Sequence, residues 1–276
     1  MLVLLVAGGS RVAVAFSLLG PSPAVGAANP ALNWQNPGFN IGYNPFNVDI
    51  GGPLNLGEEY RWNVPVITYA FDESFENYFG SNGVAAVEAA ITILNNLTNV
   101  SKFSANLTEF PLNTTRHNFQ AQALNLLDLK SMTLHLLLEE MGLAEAERYV
   151  WTLRDRRILT IVGTGNQVTN YFVTQRNFDP VTLTPSSYVN GTLYTYTVLE
   201  FDPVNFGPYA DAVETPAQIP PTSINSSVSA GAPPVGGFFT GLTRDDAGGL
   251  RYLYRPDNMN VEDVLNDIQV AVTNTT

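Results

Sequence analysis

The chain of 276 residues has no cysteine. No disulfide framework or thiolate metal site can form, so stability has to come from packing and hydrogen bonding. Lysine occurs only at Lys102 and Lys130, and histidine only at His117 and His135. Charged residues make up 14% of the chain, against roughly 25% in an average soluble domain. Positive charge is the scarcer sign: 13 Lys and Arg face 25 Asp and Glu, for a formal net charge of −12. A phosphate backbone needs a basic footprint that this chain lacks, which argues against nucleic acid as a partner. A basic membrane-surface patch is equally missing. Beyond the N-terminus no apolar run reaches the ~18 residues of a spanning helix, so no membrane span is expected in the mature chain.

What is present is apolar and uncharged: 45% hydrophobic residues, 22 Gly and 18 Pro, with abundant Asn and Thr. This is the composition of a globular chain with a polar but weakly charged surface. Its first 27 residues, MLVLLVAGGSRVAVAFSLLGPSPAVGA, are apolar and end in small residues, although Arg11 lies inside the apolar part rather than ahead of it. They predict a removable export signal at 1–27, cut after Ala27 or Ala28, and hence a secreted, extracellular or cell-surface protein. Sequons at Asn96, Asn99, Asn106, Asn113, Asn190, Asn225 and Asn274 are then candidate glycosylation sites.

Residues 28–64 repeat Asn-Pro at 29–30, 36–37 and 44–45. Proline removes a donor and forces its predecessor out of the helical region, which predicts an extended, turn-rich arm. The arm also holds Trp34, Phe39, Tyr43 and Phe46, too aromatic for a disordered linker. It either wraps its own domain or docks on a neighbouring subunit.

Residues 65–256 read as a single α+β domain, followed by a tail at 257–276. Val66–Asp72 is β-rich, and Gly83–Leu97 has apolar residues spaced by three and four with Ser81 or Asn82 as cap. A second helical region is predicted over Asn118–Leu129, continuing through Ser131–Met141 to a left-handed cap at Gly142, and a third from Ala144 into Arg157. From Leu159 to Glu200 the pattern turns to strands, with a hairpin turn at Val162–Gly165. A Pro/Ser/Gly-rich connector occupies 214–237. The expected fold is helices packed on a mixed or antiparallel sheet, with the extended arm at the N-terminus.

Three stretches resemble the matrixin-type metzincin proteases. VPVITYAFD leading into VAAVEAAITILNNL is similar to their opening strand and first helix, SMTLHLLLEEMGL to their zinc helix, and LTRDDAGGLRYLY to their last helix. The resemblance implies that His135 and Glu139, one helical turn apart, occupy positions of two metal ligands, with Leu136 where the family has its catalytic glutamate. Zinc of that type needs three imidazoles, a helix-borne base and an open fourth position. Two histidines cannot supply three. A residual site would combine His135, Glu139 and His117; otherwise His135 pairs with Glu139 on a helix flank while its neighbours fill the core. Asp245 and Asp246, just after Leu242-Thr243, predict a helix cap. The arginines Arg154, Arg156 and Arg157 either pair with acids such as Glu145, Glu147 or Asp155 or meet an acidic patch on another copy.

These features predict an exported, non-enzymatic structural or assembly protein without a cofactor. It would self-associate through its arm into a filament or surface layer, its partners being other copies of itself. The alternatives are a divergent metal-dependent hydrolase and a secreted module that binds a cell-surface glycan.

Overall fold

A computed structural model describes residues 15–20, 54–59, 61–62, 66–97, 99–201, 209–217 and 226–260. The fold is α+β. Its helices are α1 (Glu73–Asn95), α2 (Phe119–Ala123), α3 (Leu129–Glu140) and α4 (Arg244–Leu253), with a short 3₁₀ turn at Val100–Lys102. The strands of the described residues are β1 (Phe16–Leu18), β2 (Thr115–His117), β3 (Leu143–Ala144), β4 (Thr152–Thr160), β5 (Gln167–Thr174), β6 (Asn177–Phe178), β7 (Tyr188–Val189), β8 (Thr192–Phe201), β9 (Tyr209–Pro216) and β10 (Gly237–Phe239). Among the described residues they form four small antiparallel sheets, β3-β1-β6, β10-β2, β4-β5 and β7-β8-β9, rather than one.

Helix boundaries follow their caps. Asp72, not Ser81 or Asn82, starts α1: its carboxylate accepts from the Phe75 amide at 2.8 Å and the Ser74 hydroxyl at 2.6 Å. A first helical stretch therefore begins ten residues before Gly83; it is interrupted at Gly80, whose φ of 61° and ψ of −161° are not helical, and a second stretch follows beside Ser81 and Asn82, where the sequence places a helix start. The second helical region divides in two because Asn125 takes a left-handed φ of 55°, closing the turn after α2. Asp128 then caps α3 through the Ser131 amide at 2.8 Å. Gly142, at φ 100°, closes the turn that follows α3, as its sequence predicts.

Two sequence expectations yield to tertiary pairing. The segment expected to continue as a helix from Ala144 instead enters β4, which pairs from Thr152↔Thr174 to Thr160↔Gln167 with a bulge between Leu153 and Asp155. Val162–Gly165 forms the connecting turn, with Gly163 and Gly165 at φ 98° and 72°. The β-rich Val66–Asp72 adopts neither strand nor helix and is largely exposed.

The main core joins α1, α3 and α4 to the β3-β1-β6 sheet through Phe16, Leu18, Leu134, Leu138, Leu143, Phe178, Leu250 and Leu253. Phe16 and Leu18 lie in the stretch read as a removable leader. Here β1 is the middle strand of its sheet, and Leu18 also bridges to Leu54. A cut after Ala27 or Ala28 would remove that strand from the core.

The C-terminal end of the arm packs on its own domain. Glu59 is fully buried and pairs with Arg255 at 2.7 Å, the Arg61 guanidinium donates to the Asn258 carbonyl, and the Trp62 indole donates to the Glu140 carbonyl at 2.6 Å. Burial pushes the Glu59 carboxyl up, but Arg255 and nearby amides outweigh it and hold it below the usual range.

On α4, a Cβ at Gly248 would land on the Pro180 ring and lie 3.2 Å from a Leu107 methyl. A proline ring cannot swing aside. Gly248→Ala is therefore expected to lower stability by about 1–3 kcal/mol, despite alanine's better helix propensity. A urea midpoint equal to or above that of the wild type would contradict it.

Candidate functional site

The most densely bonded polar region lies where α3, α4 and the turn at 226–230 meet. It begins with Leu242-Thr243 ahead of two acids. Thr243 caps α4 in a reciprocal box: its hydroxyl oxygen accepts the Asp246 amide at 3.5 Å, while its own amide and hydroxyl donate to Asp246 Oδ2 at 2.8 and 2.6 Å. Asp246 also accepts the Val228 amide at Oδ2 and the Ser229 amide at Oδ1, each at 3.0 Å. One buried carboxylate thus caps a helix and folds the turn onto it. The cap is as the sequence predicts; the second task is not visible there.

Asp245 points elsewhere. Its Oδ1 accepts the Ala15 amide at 2.8 Å and its Oδ2 the Asn190 amide at 2.6 Å. Asn190 returns the contact, accepting the Asp245 amide and donating its Nδ2 to Thr243 Oγ1 at 3.0 Å. Burial, followed by the nearby Asp246 and Glu147, pushes the Asp245 carboxyl well above its ordinary value despite the two amides.

Glu147 approaches the same turn from the other side. It accepts the Ser227 amide at 3.0 Å and lies 3.4 Å from the Ser227 hydroxyl. Part of the residue remains at the surface, but the carboxyl is turned inward, and desolvation pushes it up to about 8. Nothing in AEAERYV marks Glu147 as buried, because its partner sits in a Ser-rich connector 80 residues away.

His135 is buried on α3, not set on a flank. Its Nδ1 lies 3.1 Å from the Val228 carbonyl, which can only accept, so this nitrogen carries the proton. The neutral ring then presents the bare Nε2 to Glu139, at 3.6 Å. Burial pulls the imidazole below its ordinary value and, with Glu140 nearby, pushes Glu139 above its own. Burial thus works against the charged form of each partner in this 3.6 Å contact.

His117 is exposed on β2. It bonds Gln122 at 3.0 Å and meets the Phe119 ring edge-on, 4.7 Å between centroids. It is thus engaged away from His135. Among the described residues no three His, Cys, Asp or Glu side chains are grouped to hold a metal ion. The chemistry available to the acids is the immobilisation of backbone amides.

Other candidate positions separate. Trp34, Phe39, Tyr43 and Phe46 lie outside the described residues, as do Asn225 and Asn274. Arg154, Arg156 and Arg157 lie along β4, their side chains outside the described set. Asn96, Asn99 and Asn106 are exposed, and Asn113 is half-buried with its carbonyl on the Thr115 amide. Asn190 is fully buried, and its amide nitrogen is occupied by Thr243, so the folded chain presents no acceptor there. Among the described residues no helix is long and apolar enough to cross a membrane. Comparison with known proteins finds no matching family model, no matching curated protein and no matching solved structure.

Proposed function

We propose that this chain is a non-enzymatic structural protein that associates with copies of itself into an extended assembly. The observation that carries this reading is the amount of uncharged apolar surface left open on the β4-β5 hairpin and around the start of α1. On the β4-β5 hairpin, Leu159, Ile161, Val162 and Val168 are exposed, Val162 almost completely at 98%. Around the start of α1, Val66, Ile67, Tyr69, Tyr78 and Phe79 are exposed as well. Exposed apolar surface of this extent on two separate elements fits interaction surfaces better than it fits a solitary soluble chain. The buried acids support the same reading, since their oxygens are occupied in holding backbone. The aromatic arm, with Trp34, Phe39, Tyr43 and Phe46, supplies further contact area; at ~25 cal/mol per Å² of apolar burial, a few such rings sustain a persistent contact.

Electron microscopy with light scattering tests this on the full chain and on a variant in which 24–50 is replaced by a short Gly/Ser linker. The Leu18↔Leu54 bridge brings the flanks of that segment together, and β1 is retained. Ordered polymers of the full chain that disappear in the variant are expected. Polymers that persist would assign the arm to its own domain. Monomers throughout the accessible concentration range would overturn the assembly reading.

A further inference from the structure

We infer that residues 66–71 of one copy add as an antiparallel strand to the outer edge of β4 in a second copy, a contact that rests on the assembly reading above. The segment VITYAF has the β-branched and aromatic composition of a strand, yet it lies in no sheet and is mostly exposed. It is not loose: Tyr69, Phe71, Phe75 and Phe79 form a row of ring contacts 4.8–5.7 Å apart that ties it to the first turns of α1. A strand-forming segment is thus presented ready for a partner.

β4 offers the matching edge. Among the described residues it pairs only with β5, in a two-stranded sheet. β9 touches the beginning of β4 by side-chain packing of Leu153 with Ala212, without strand pairing. An open strand edge with an apolar end is a template for strand addition.

The order of residues fixes the direction. Read backwards, β4 and its turn run Val162, Ile161, Thr160, Leu159, Ile158 and then the Arg157–Arg154 cluster. Read forwards, the segment runs Val66, Ile67, Thr68, Tyr69, Ala70, Phe71, and then the acids of α1, with Glu73 and Glu76 exposed. Antiparallel addition sets Val66 beside Val162 and Thr68 beside Thr160, places Asp72 beside Arg156, and brings the two glutamates that follow into the stretch holding Arg154, Asp155, Arg156 and Arg157, where basic residues outnumber the acid three to one. Parallel addition would set the glutamates beside the apolar end instead. In a chain so poor in positive charge, this is the one dense basic run in the sequence, and the acids follow the segment on the side that meets it. The two surfaces are different, so each copy can give and receive, and the assembly is open-ended unless the rotation closes a ring.

The test uses the full chain in three variants: Glu73→Lys with Glu76→Lys, Arg156→Glu with Arg157→Glu, and Thr68→Pro. Proline removes a backbone donor from a segment that makes no ladder within its own chain. Polymerisation is followed by light scattering and electron microscopy. Each variant alone should lose at least 90% of wild-type polymer, and mixing the two charge-reversed variants should restore it, since the native segment of one meets the native edge of the other and the lysine-bearing segment meets the glutamate-bearing edge, so that the two variants alternate along the polymer. Restoration also shows that both variants are folded. Wild-type polymers with all three variants polymerising normally would overturn this contact, and assign the segment to the chain's own residues, while leaving assembly intact. Monomeric wild type would remove both readings.

Discussion

Replacing Asp246 with alanine is expected to bring the chain close to unfolding at room temperature. Four donors end on this carboxylate: the amides of Val228, Ser229 and Thr243 and the Thr243 hydroxyl. All surround a side chain with 1% exposure, so water does not replace the lost acceptor without opening the structure. Hydrogen bonds to a charged group contribute about 1.5–3 kcal/mol each, and an orphaned buried donor costs about 1–3. These contributions are not additive, and the loss of one partner from a buried network is about 3–5 kcal/mol in total. Against a typical total stability of about 5–15 kcal/mol, that is a large share. Asp246→Asn should fall between, because an amide at Oδ1 would turn a donor toward the Ser229 amide. Urea midpoints in the order wild type, Asn, Ala are expected; an Ala variant within about 1 kcal/mol of wild type would show that the turn is held by other contacts.

Stability is also expected to fall as pH rises from 6.5 to 8.5, with Glu147 as a main source. Its carboxyl titrates at about 8 in the folded chain, against an ordinary 4.5. Between those values the folded state keeps a proton that the unfolded state has released. Stability is therefore full below the ordinary value and declines with increasing pH until the folded carboxyl has ionised. Ionisation places a charge beside Asp246 and near Asp245 and Tyr194, none of which is cationic. Asp245, also pushed up, acts in the same direction. His135 acts oppositely: burial pulls it below its ordinary 6.5, so protonation costs stability on the acid side of that value. Between 6.5 and about 7.5 the histidine still adds at most about 0.4 kcal/mol of stability, a small offset to the carboxyl effect. Denaturation at the two pH values should differ by about 2–4 kcal/mol in wild type, at about 1.4 kcal/mol per unit of separation. Glu147→Gln keeps an acceptor for Ser227 and should remove much of that difference. An unchanged slope in the Gln variant would mean that Glu147 is already ionised at pH 6.5.

Both predictions concern contacts that local sequence rules do not reach. Caps and turns were legible because they depend on residues three or four apart: Thr243 with Asp246, Gly142 after α3, and the two glycines of the β4-β5 turn. The helical stretch beyond Gly80 begins where Ser81 and Asn82 place it, whereas the stretch before Gly80 was missed because its cap, Asp72, sits at the end of a β-rich run. The predicted helix from Ala144 failed because WTLRDRRILT gains a full antiparallel partner in β5, and pairing outweighs modest helix propensity. Val66–Asp72 failed in the opposite sense, having strand composition without a strand beside it in its own chain.

The sequence by itself determined the exclusions and the local frame. Without cysteine there is no thiolate chemistry, two histidines cannot make a three-imidazole centre, and twenty-five acids against thirteen bases set an acidic net charge. Only the tertiary structure decided which acids are buried and what holds them. Asp245 finds the Ala15 amide 230 residues away, and His135 finds the Val228 carbonyl 93 residues away. Desolvation depends on everything packed around a group, and long-range packing is not written in the spacing of its neighbours. For that reason Phe16–Leu18, three residues of an apolar stretch, form the middle strand of a core sheet, and a glutamate between Ala146 and Arg148 becomes a proton-holding anchor.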